Sequence, residues 1–98
     1  MRRQRELNTM RRMRHAGAET FEELDGLLVE LRKIPGLTER KTGIFYRRSR
    51  AFLHFHSDLA GPYADVRLID DEDFVRFRVR TPTERKRLLS RIRAEVRS

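Results

Sequence analysis

The chain has 98 residues, 39% of them charged, with 23 lysines and arginines against 15 acidic residues and a formal net charge of +8. That length supports one small domain, which on folding hides roughly 60% of the surface of its unfolded chain, enough for a core but not for a deep pocket under a lid. The lack of cysteine excludes disulfides, thiolate metal ligands and a cysteine nucleophile, and the absence of any 18-residue apolar run or signal-like stretch points to a cytoplasmic protein without a membrane span.

Residues 1–18 form a basic arm with few apolar positions and no helical stripe, so disorder is expected there and a single domain from residue 19 to 98. Met10 and Met13 offer alternative starts, so Arg2, Arg3, Arg5, Arg11, Arg12 and Arg14 carry no expected function. Thr20 and Glu23 have the spacing of a capping box. Behind it Phe21, Leu24, Leu27, Leu28 and Leu31 recur at helical intervals, predicting a helix from Phe21 to Lys33 that Pro35 and Gly36 end. Then the period becomes two. Leu37–Lys41, Gly43–Tyr46, Ala51–His56, Tyr63–Leu68 and Phe74–Arg80 read as strands joined by short turns, hence an antiparallel meander. Thr81-Pro82-Thr83-Glu84 is a cap, an N1 proline and a capping-box glutamate, followed by the stripe Leu88, Leu89, Ile92 and Val96 of a second helix. The expected fold is α+β, in the order α-β-β-β-β-β-α, with both helices on one face of a four- to five-stranded sheet.

Turn lengths give a register. A turn at Arg48-Ser49 sets Tyr46 opposite Ala51 and Ile44 opposite Leu53. The Ser57–Pro62 loop sets His56 opposite Tyr63. The acidic turn Asp70–Asp73 sets Leu68 opposite Val75 and Val66 opposite Phe77. Ile44, Tyr46, Ala51, Leu53, Phe55, Ala64, Val66, Leu68, Val75, Phe77 and Val79 then fall on the face that the helices cover. Phe45, Phe52, His54, His56, Tyr63, Asp65, Arg67, Arg76, Arg78 and Arg80 fall on the other. Rows of His54, Asp65 and Arg78, of His56, Tyr63 and Arg80, and of Phe52, Arg67 and Arg76 run across it. The opposed Arg67 and Arg76 repel.

Three chemistries suit that face. Arginines bind phosphate or carboxylate bidentately, and aromatic rings stack bases; the bland counterpart is a solvated face with long arginines lying over rings. His54 and His56 point the same way on one strand and, with Asp58 or Asp65, offer a metal-ligand set, which the surrounding arginines oppose electrostatically. Asp65 beside His54 has the form of an acid–base pair, or of a plain cross-strand ion pair with Arg78. No glycine-rich phosphate loop or nucleophile elbow occurs. Twenty of the 23 basic residues are arginine, a proportion that arginine-rich codon usage alone produces, and net charge by itself speaks only to non-specific attraction.

LRKIPGLTER from Leu31 to Arg40, the stretch from Phe45 to Asp58 ending in His-x-His-x-Asp, and Val75–Thr81 with the helix behind it together resemble a family of small bacterial and fungal proteins labelled "luciferase domain". The resemblance covers about residues 24–96, with a much shorter insert before the last stretch. It implies an α+β domain and draws attention to His54, His56 and Asp58; most members have no established activity. The expected function is a non-catalytic binding or accessory domain, without a cofactor. It would recognise an anionic small molecule, a protein partner or nucleic acid through Arg67, Arg76, Arg78, Arg80, His54, His56, Tyr63 and Phe52. The alternatives are a small enzyme or metal site on His54, His56, Asp58 and Asp65, and a homodimer that buries the same face.

Overall fold

A computed structural model describes residues 14–15, 17–59, 61–68 and 73–97. In chain order the elements are β1 (Arg14–His15), α1 (Ala18–Glu23), α2 (Asp25–Arg32), β2 (Leu37–Lys41), β3 (Ile44–Arg47), β4 (Arg50–Asp58), β5 (Gly61–Val66), β6 (Val75–Arg78) and α3 (Pro82–Arg97). Strands β2 to β6 form an antiparallel meander in sequence order, and the helices pack on one side of it: an α+β fold. Arg14 and His15, which the sequence assigns to the arm, pair with Ser57 and His56 at the far end of β4. No helix among the described residues is long and apolar enough to cross a membrane.

The first helical stretch is two short helices. Thr20 lies inside α1 and makes no cap; the residue before the helix is Gly17, with no side-chain hydrogen bond to the first turn. Leu24, completely buried, separates α1 from α2 with φ −94° and ψ 10°. α2 buries Leu27, Leu28 and Leu31. The second capping box forms as its sequence demands. Glu84 N–H donates to Thr81 Oγ1 (3.1 Å), while Glu84 Oε1 accepts from the N–H groups of Thr81 (3.0 Å) and Arg80 (2.9 Å). α3 then buries Leu88, Leu89 and Ile92.

Three hairpins settle which residues face the helices. Arg48 and Ser49 both have positive φ, 54° and 67°, the geometry of a two-residue type I′ turn, and Tyr46 stands opposite Ala51 as expected. One step further the register shifts: Phe45, not Ile44, is opposite Leu53. Phe52 is the extra residue of a β-bulge. The insertion reverses the alternation of β3, so Phe45 and Phe52, assigned by sequence to the bare face, are core residues at 1% and 3% exposure. Tyr46 and Ala51, assigned to the helix side, lie on the bare face. Burial of two phenylalanine rings, at about 1.5–3 kcal/mol each, outweighs that of one tyrosine and one alanine.

The β4–β5 register is the expected one, with His56 opposite Tyr63, His54 opposite Asp65 and Leu53 opposite Val66, and pairing continues to Asp58 and Gly61. β6 is slipped by two residues from the sequence expectation: Val75 pairs with Val66, Arg76 with Asp65, Phe77 with Ala64 and Arg78 with Tyr63. Faces survive a slip of two and partners do not. The slip removes the repelling Arg67–Arg76 opposition and exchanges the expected Asp65–Arg78 pair for Asp65–Arg76. It also leaves Val75, assigned to the core, 45% exposed on the edge strand. Val66 and Val79 are fully buried and Phe77 packs against the core, so the two-faced character holds for β4 from Leu53 onward, β5 and β6. The acidic turn at residues 70–72 lies outside the described residues.

Candidate functional site

The site is the sheet face away from the helices, centred on Asp65. β5 is a central strand, so Asp65 is held by β4 on one side and β6 on the other, and only 7% of it is exposed. Arg76 grips it with both arms of its guanidinium: Nε donates to Oδ1 at 2.8 Å and Nη2 to Oδ2 at 2.9 Å. From β4, His56 Nε2 stands 3.1 Å and His54 Nε2 3.6 Å from Oδ2. The two imidazoles meet edge to face with centroids 4.8 Å apart, and His54 makes a similar contact with Phe74 at 4.7 Å.

Burial by itself raises the carboxyl pKa of Asp65. The Arg76 hydrogen bonds and charge, helped by His56 and His54, outweigh it and hold the group below its ordinary value. Arg76 is raised in turn, chiefly by its bond to Asp65. Asp65 is therefore a fixed anion at neutral pH.

Around this centre, guanidinium groups lie on aromatic rings. Arg40 covers Tyr46 with 4.4 Å from its central carbon to the ring centroid, Arg67 covers Phe74 at 4.4 Å, and Arg76 approaches Tyr63 at 5.7 Å. Arg67 also donates through Nε to the Ala51 carbonyl at 3.2 Å. Both contacts reduce its freedom to swing.

Of the residues singled out by sequence, His54, His56, Tyr63, Asp65, Arg67 and Arg76 come together here. Arg78, in the row of Tyr63, reaches the start of α3, where its Nε is 3.7 Å from Glu84 Oε2. Arg80 lies further along, its aliphatic chain against Gly61, which has no Cβ to obstruct it. Phe52 is in the core and leaves the set. Asp58 stands at the end of β4, outside the group formed by His54, His56 and Asp65. Sequence reasoning missed Arg40, Tyr46 and Phe74. The bulge hid Tyr46; Phe74 shares the parity of Arg76, and that was the signal available for it.

As an acid–base pair, Asp65 and His56 have the contact, but among the described residues neither Ser57 nor Ser49 is placed beside them. Ser57 follows His56 on β4, so its side chain projects to the opposite face, and Ser49 is in the turn at the other end of the strand. Among the described residues, the group of donors able to hold a metal ion is His54, His56 and Asp65.

Comparisons of the chain with family models, with curated proteins and with solved structures gave no match. The functional reading therefore rests on this face.

Proposed function

We propose that the protein is a non-catalytic binding domain that recognises an anionic ligand through the bare face of its sheet. The observation that carries this is the set of guanidinium groups laid on rings: Arg40 on Tyr46, Arg67 on Phe74, Arg76 beside Tyr63. A guanidinium laid on a ring is held in one orientation and keeps its positive charge at the face, where a phosphate or carboxylate is attracted to it. Because the side chain is already held, less conformational entropy is lost when an anion is bound. The net charge of +8 adds long-range attraction. Asp65 has the opposite sign, but Arg76 neutralises it, and it sets the arginine at a defined place on the face.

The test is fluorescence anisotropy with a labelled single-stranded oligonucleotide, competed with inorganic polyphosphate, across a range of salt. Binding should be present at low salt and fall steeply as salt rises. Replacing Arg40 and Arg67 together by serine should weaken it about a hundredfold or more, since each removes charge-assisted hydrogen bonds of about 1.5–3 kcal/mol. No binding at low salt, or equal binding by the double variant, refutes the reading.

A further inference from the structure

The centre of the face holds a second arrangement. His54 and His56 are two apart on β4, so both rings project to the same side, and Asp65 is the register partner of His54 on β5. Three donor atoms meet as a result. His56 Nε2 and His54 Nε2 lie 3.1 Å and 3.6 Å from Asp65 Oδ2, and one ligating atom from each of the three residues lies within 4.8 Å of the other two. Two ligands of one tetrahedral zinc ion stand roughly 3.4 Å apart. Both nitrogen–oxygen separations already straddle that value. We infer that His54, His56 and Asp65 form a binding site for a borderline divalent cation of the zinc type.

Two imidazole nitrogens and one carboxylate oxygen are the donors such ions take, in preference to calcium or magnesium, which favour all-oxygen sets. The scaffold is rigid, since β4 and β5 are neighbouring inner strands. Arg76 plays the part of an outer partner: its two bonds fix the plane of the carboxylate and direct the remaining lone pair of Oδ2 to the histidines. The same guanidinium opposes a second positive charge, which lowers affinity. Three protein ligands leave a coordination position open to solvent. The site stands independently of anion recognition, because the metal alone is its ligand.

The test titrates zinc chloride into the full untagged chain, stripped of metal by chelation, at pH 7.5. Calorimetry reads stoichiometry, and imidazole nitrogen-15 spectra of the unsubstituted protein read which rings are bound. The expected result is one zinc per chain, with the ring resonances of His54 and His56 moving. Affinity should fall at least tenfold in each of His54→Gln, His56→Gln and Asp65→Asn and stay unchanged in Asp58→Asn. Arg67→Ser should keep zinc even where it loses anions, which separates this site from the anion-binding reading. Zinc that does not bind at 100 μM or so, that shifts other rings instead, or that binds His54→Gln and His56→Gln as well as the parent, overturns the inference. The ring spectra decide the matter without any substitution, so a variant that fails to fold leaves the test intact.

Discussion

Asp65 shows how one residue organises a surface. It is an acid 7% exposed on a face that is otherwise cationic, and it stays charged because Arg76 binds both of its oxygens. Its pKa is lower folded than unfolded, so the stabilisation it gives is complete above its unfolded value of about 3.9 and is lost as pH falls through the lower folded one. Asp65→Asn should therefore cost about 1–2 kcal/mol near pH 7, discounted for the solvent reaching Arg76. The gap between variant and parent in urea denaturation should close as the pH is lowered below 4 or so; a gap independent of pH would contradict the account. Gly43 is the other residue with a sharp role. Its φ is +76° and the ring of Phe21 occupies the place where a Cβ would stand. Gly43→Ala should destabilise the fold by more than about 1 kcal/mol in the same assay.

At the scale of elements, the β3–β4 hairpin carries the most information. Arg48 and Ser49 hold positive φ without being glycine or asparagine, so Asn-Gly in their place should raise stability by about 0.5–1 kcal/mol, read as a higher denaturation midpoint. Thr81→Ala should remove one half of the α3 capping box and cost about 1 kcal/mol. The second cap was legible because Thr81, Pro82 and Glu84 are tied by type and spacing to local backbone geometry, whereas the Arg48-Ser49 turn was placed by the strands that flank it and the Ser57–Pro62 connection is shorter than expected, with pairing continuing to Asp58 and Gly61. The two faces of β4 from Leu53 onward and of β5 and β6 were legible too, since His54, His56, Asp65, Arg76 and Arg78 alternate with residues too apolar to leave in water. The bulge was not legible. Alternation assigns parity within a strand, and Phe45-Tyr46 and Ala51-Phe52 read equally well with or without an inserted residue. The two-residue slip of β6 was also hidden, since apolar parity is the same in both registers. Both registers give Asp65 an arginine, Arg78 in one and Arg76 in the other; what separates them is that the expected one opposes Arg67 to Arg76, while the observed one lays Arg67 on Phe74. Thr20 and Glu23 have cap spacing, but helix α1 begins two residues before Thr20, at Ala18, so the threonine sits inside a turn it was expected to start.

For the whole molecule, the helices take one face of the sheet and leave the arginines, histidines and three aromatic rings on the other. The chain carries a competing basic surface: the outer side of α3 exposes Lys86, Arg87 and Arg91. Those side chains sit on a helix with no aromatic partners among the described contacts, and they offer only diffuse attraction, which salt screens within about 8–10 Å. The most direct measurement is a backbone and aromatic NMR titration with a short single-stranded oligonucleotide at low salt. If the bare face is the recognition surface, the resonances of Tyr46, Tyr63, Phe74 and the Arg67 and Arg76 side chains move together and saturate, while Lys86, Arg87 and Arg91 stay still. Shifts confined to α3, or none at all, would contradict it.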